Sequence, residues 1–130
     1  MFIINIMEFT MKIAISSTGK TLDSNVDLRF GRAAGFIIYD LDSESYEYVD
    51  NVQNLEAVQG AGIQAAQTIV NQNVEALITG HCGPKAFKVL TTADIKIYTG
   101  VEGTIKHAVE KFKNNELQQT LSADVEGHWV

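Results

Sequence analysis

With a single cysteine the chain cannot form an internal disulfide, so its fold must stand on its hydrophobic core. That fits a reducing compartment, and a cytoplasmic location is expected. Basic residues are few: ten against sixteen acids, a formal charge of −6, which argues against a nucleic-acid partner because phosphate neutralisation needs clustered cations. Long apolar runs are missing too. Phe2–Met7 falls far short of the ~20 residues that cross a bilayer. It also lacks a basic flank and a small-residue cleavage site, so neither a membrane association nor a signal peptide is expected. Residues 1–10 read as an N-terminal extension that either pairs as an edge strand or stays loose.

What is present is ordinary for one domain: 130 residues, 45% hydrophobic and 20% charged, enough to bury a single core. Lys12–Ser16 (KIAIS) is short, β-branched and apolar, as a buried strand is. Residues 17–34 make a polar loop longer than connection requires. Phe36–Leu41, a polar turn at Asp42–Ser45 and the alternating Tyr46–Asp50 predict a hairpin.

After Asn54 the period becomes helical. Ile63, Ala66, Ile69 and Val70 mark one helix, Ala86, Phe87, Val89 and Leu90 a second that opens on Pro84, and Ile105, Ala108, Val109 and Phe112 a third. Between them EALITG and IKIYTG read as strands. The order β-β-β-α-β-α-β-α predicts an α/β fold: a five-stranded mixed sheet with helices on both faces and the strands at Lys12 and Glu75 near its centre. Ile13, Ile15, Ile37, Leu77, Ile78 and Ile97 are its expected layers. The domain is placed at residues 11–115, with a polar tail at 116–130.

Several motifs fail on inspection. SSTGKT (Ser16–Thr21) ends like a phosphate-binding loop, but the leading glycine position is Ala14. GAGIQA (Gly60–Ala65) matches a minimal dinucleotide fingerprint but does not directly follow a strand, so its small residues are read as letting a helix start close to the sheet. Asp23, Asn25 and Asp27 alternate as in a calcium loop, yet Leu28 and Ala34 occupy the positions that need glycine and glutamate. Turn hydrogen bonds to their own backbone suit these acids better. KIAIS carries no carboxylate for magnesium-dependent nuclease chemistry.

Two features remain, both where ligands favour such sheets, at the carboxyl ends of central strands. The chain's only arginines, Arg29 and Arg32, bracket Phe30-Gly31 in the long loop. They suit a multidentate anion, or equally a surface ion pair with Asp23 or Asp27. Cys82 sits in TGHCGPKAF, two residues before Pro84, where a helix N-terminus favours thiolate; a lone cysteine is otherwise a small buried hydrophobe.

Placed together, MKIAIS, GKTLDSNVDLRFGRAAGFIIYDLD, GAGIQAAQTIV, VEALITGHCGPKAFKVL and IKIYTG resemble the dinitrogenase iron-molybdenum cofactor biosynthesis family of small cluster carriers, from Met11 to Phe112. The resemblance implies a three-layer α/β/α, ribonuclease H-like fold without a catalytic triad, and hence no enzyme. It implies non-catalytic binding and transfer of an anionic metal-sulfide cluster: iron-molybdenum cofactor, its iron-sulfur precursor or a related molybdenum or molybdenum-copper cluster. Partners would be cluster-assembly or acceptor proteins, in a role related to nitrogen fixation. Family carriers often have histidine before FG; Arg29 stands there in this chain, which favours anion pairing over metal ligation at that position.

The expected cofactor-binding set is Arg29, Phe30, Gly31 and Arg32 with Gly80, His81, Cys82 and Gly83, the metal ligands being Cys82 and His81. The alternative is an interaction or regulatory module on the same fold without a cluster.

Overall fold

The computed structural model describes residues 11–53 and 60–123; the N-terminal extension at 1–10 lies outside them. Strands β1 (Lys12–Ser17), β2 (Gly35–Asp40), β3 (Tyr46–Asp50), β4 (Ala76–Ile78) and β5 (Lys96–Tyr98) form one sheet in the order β3-β2-β1-β4-β5. The hairpin β2–β3 is antiparallel, and β2 is antiparallel to β1; β1, β4 and β5 run parallel. Helices α1 (Ala61–Val70), α2 (Pro84–Thr92) and α3 (Ile105–Lys113) complete the expected order.

Successive strand residues face opposite sides of the sheet, and each side has its own helices. On one face Ala14, Phe36, Ile38, Leu77 and Ile97 pack with Ala65, Ala66 and Ile69 of α1 and Ala86 and Leu90 of α2. On the other Ile13, Ile15, Ile37, Tyr39 and Ile78 pack with Ile105, Ala108 and Val109 of α3. The result is three layers. β1 is covered on both faces, which is why its sequence is nearly continuously apolar.

Each helix is followed by an Asn or Asp in the left-handed region, Asn73, Asp94 and Asn115, with φ of 57°, 63° and 58°. These residue types tolerate that conformation and stop the helix there. The start of the polar tail is held against the sheet. Leu117 packs on the α3 face, Thr120 N donates to Ile97 O at 2.7 Å, and Thr99 N donates to Thr120 Oγ1 at 3.0 Å.

Candidate anion-binding site at the strand ends

The carboxyl ends of β1, β4 and β5 emerge on the same side, and the long loop and the turn after β4 meet above them. Ser16 Oγ lies 2.7 Å from Thr79 Oγ1 and 2.7 Å from Asp27 O, joining two strand ends to the middle of the loop. Both hydroxyl residues are fully buried, so the pairing also satisfies polar atoms that water cannot reach. Further along, Arg29 and His81 form an isolated parallel bridge, with Phe30 N donating to His81 O at 3.1 Å. Gly80 permits this approach. A Cβ there would sit 2.5 Å from Leu28 O.

The bridge decides which side chains share a side. Paired residues in a parallel ladder project together and their neighbours project the opposite way. Arg29 is exposed and His81 half-buried, whereas Phe30 and Cys82 are each 1% exposed. Phe30 and Cys82 join the core with Ala33, Ala65, Ala66 and Ala86, and the Phe30 ring stands 5.4 Å from that of Phe36. Of the two readings open for Cys82, thiolate ligand and small buried hydrophobe, the second describes its place here: its side chain faces the core. Cys82 does stand just before a helix, as its distance from Pro84 implies, but the alternation imposed by the bridge turns the thiol inward.

Arg32 is exposed as well, and among the described residues neither arginine pairs with an acid; the ion pair found there is Lys113–Glu44 at 2.9 Å, on the α3 side. Asp27, one of the acids that could have partnered them, spends its carboxylate on the loop backbone. Its Oδ1 accepts from Arg29 N at 3.2 Å and its Oδ2 from Ala34 N at 3.4 Å. The turn hydrogen bonds expected of this acid are thus seen, and they hold the arginine turn at both ends.

Two helix starts border the same region. α1 begins after Gly60 and α2 after Gly83; neither has a side-chain cap nor an acid in its first turn. Unpaired N–H groups at such ends carry partial positive charge and favour anions. Gly31 abuts the first of them, since a Cβ there would lie 2.9 Å from Gly62 N. The small residues of GAG therefore admit the arginine turn, not only the sheet. Gly62 also faces α2, where an added Cβ would stand 3.5 Å from Ala86 Cβ.

Among the described residues no three His, Cys, Asp or Glu side chains gather as a metal-ligand group. The chemistry on offer is recognition of an anion by guanidinium and backbone N–H groups, with one imidazole, that of His81, at hand. A cleft of about 450 Å³ lined by Met11, Leu41, Ala76, Lys96 and Phe112 opens at the opposite end of the strands and touches none of these residues. No helix among the described residues is long and apolar enough to cross a membrane.

These features define a small three-layer α/β protein with a cationic turn at its strand ends. Residues 11–115 match the family described as dinitrogenase iron-molybdenum cofactor, and the chain belongs to it. It is similar to the orange protein of Desulfovibrio gigas, solved in its apo form: 38% identity, 90% of this chain and 98% of that one covered, TM-score 0.84. A Thermotoga protein described as a candidate NifB protein is 36% identical, with 90% and 99% covered and a TM-score of 0.76. An uncharacterized protein of Methanocaldococcus jannaschii is 24% identical over 112 residues, 84% of this chain and 95% of that protein.

Proposed function

We propose that the protein binds an anionic metal-sulfide cluster at its arginine turn and passes it to cluster-assembly or acceptor proteins, without catalysing a reaction on it. The observation that carries this reading is the pair Arg29 and Arg32, exposed and without an acidic partner among the described residues, beside two helices with no acid in their first turns. A metal-sulfide cluster spreads negative charge over many sulfurs, and fork-shaped guanidinium donors with backbone N–H groups match such a surface. Family membership supports an iron-molybdenum type of cargo, or its iron-sulfur precursor. The D. gigas relative is described as an apo form.

Arg29, Gly31 and Arg32 line one side of the proposed site, and Gly80, His81 and Gly83 the other. His81, bridged to Arg29, is the side chain this reading assigns to any direct bond to a metal atom. Phe30 and Cys82 form its floor from the core side.

The test is a titration of apo-protein under argon with tetrathiomolybdate plus copper(I). Removing one charge-assisted hydrogen bond to the cluster should weaken binding by roughly tenfold. Arg29→Ala and Arg32→Ala should therefore each raise Kd by about that factor without altering the absorption spectrum of the bound cluster. Equal binding by wild type and the double variant would remove this site. No binding by wild type would favour an interaction module on the same fold.

A further inference from the structure

Asn51 stands just past β3, on a strand end that carried no functional expectation, and is only 7% exposed. Its side chain reaches back 20 residues to the arginine turn. Nδ2 donates to Gly31 O at 3.2 Å and to Ala33 O at 3.0 Å, and the backbone N donates to Ala34 O at 3.2 Å. Oδ1 accepts from Gln53 Nε2 at 2.9 Å, so both polar atoms of the side chain are engaged. Carbonyls only accept, which fixes the amide orientation without ambiguity. Arg32 lies between the two carbonyls that the side chain grips.

We infer that Asn51 is a positioning residue: it sets the conformation of the turn that presents Arg29 and Arg32 to an anion. Asp27 holds the turn by two backbone N–H groups, and Asn51 holds it by three carbonyls, so the tip bearing Arg32 is fixed from both sides. Preorganisation matters because a guanidinium displaced from its docking geometry forfeits bidentate contact. Asn51 itself need not touch the ligand. The link to binding rests on the proposed function; the link to the turn does not.

Asn51→Leu removes the side-chain donors while keeping the same branched heavy-atom outline and adding no charge, and Asn51→Ala is the second variant. Two readouts separate the ideas, both taken well below the melting temperature of each variant. Amide hydrogen exchange should quicken at residues 29–34 in both variants and stay unchanged in the sheet. Affinity for tetrathiomolybdate plus copper(I) should fall about tenfold, the equivalent of roughly one charge-assisted hydrogen bond. In an Arg29→Ala/Arg32→Ala background, Asn51→Leu should cause no further fall in affinity. Unchanged exchange at residues 29–34 would overturn the inference, as would an equal fall in affinity in both backgrounds, the sign of a merely structural role. If wild type does not bind the probe, the proposed function fails, and the exchange measurement alone decides whether Asn51 holds the turn.

Discussion

Gly80→Ala is the substitution that most directly attacks the meeting of the two loops. The new methyl carbon would stand 2.5 Å from Leu28 O, 2.6 Å from Leu28 Cα and 2.9 Å from Leu28 C, where ordinary contact begins at 3.4 Å. All three are backbone atoms, so no side-chain rotation can relieve the overlap. The two segments must separate, which breaks the bond from Phe30 N to His81 O. Forced overpacking costs about 1–3 kcal/mol, and breaking a hydrogen bond adds about 1 kcal/mol. For a domain of this size the sum lowers the melting temperature by roughly 5–15 °C.

Gly83→Ala is the matched control. Among the described residues, nothing beyond its own neighbours in the chain and helix lies within 4 Å of its added Cβ, and its φ of −72° suits alanine. Its cost should stay below about 1 kcal/mol, the scale of an altered N-cap. Thermal unfolding by circular dichroism measures both variants. An unchanged melting temperature for Gly80→Ala would refute the close approach of Leu28 and Gly80, and with it the Arg29–His81 bridge.

Cys82 should react with iodoacetamide far more slowly in the native protein than in urea, because its side chain is 1% exposed; a native rate equal to the unfolded one would mean that the thiol faces solvent. Glu44 and Lys113 give a pH-dependent prediction. The hydrogen bond that Lys113 donates holds the Glu44 carboxyl below its ordinary value, and donating it to that carboxylate raises Lys113. A lowered carboxyl stabilises the fold above its unfolded pKa and loses that contribution as pH falls through its folded value. The melting difference between wild type and Glu44→Gln should therefore be small at neutral pH, as for exposed pairs, and vanish on the acid side of the carboxylate range. A difference that grows on acidification would contradict the pairing.

Much of the fold was legible because the elements differ in period. Tyr46–Asp50 alternates by two, α3 repeats at i, i+3, i+4 and i+7, and Pro84 stands at the first turn of α2. The central place of β1 followed from the element order and the crossover rule, and its apolar run agreed with a buried strand. The two loops could be named as neighbours because both leave adjacent strand ends. What they do to each other was not legible. Nothing in TGHCGPKAF states that His81 pairs with Arg29, and it is that pairing which sends Cys82 inward.

Asn51 was equally hidden. A buried asparagine after an edge strand looks like a turn residue until the carbonyls of Gly31 and Ala33 are placed beside it. Gly31 and Gly62 each read as loop or helix-start glycines, and only their contact explains why Gly31 cannot carry a side chain. Leu117 and Thr120 sit in a polar tail whose composition gives no sign that it would close the edge of β5.

The central claim is that an anionic cluster is taken up at the arginine turn. Amide chemical-shift mapping of ¹⁵N-labelled apo-protein during addition of tetrathiomolybdate and copper(I) under argon tests it most directly. Shift changes should concentrate at residues 29–32, 80–83 and 60–62, the turn and the two helix starts. Changes centred instead on Met11, Glu75, Asp94 and Lys96, around the cleft at the opposite end of the strands, would contradict it.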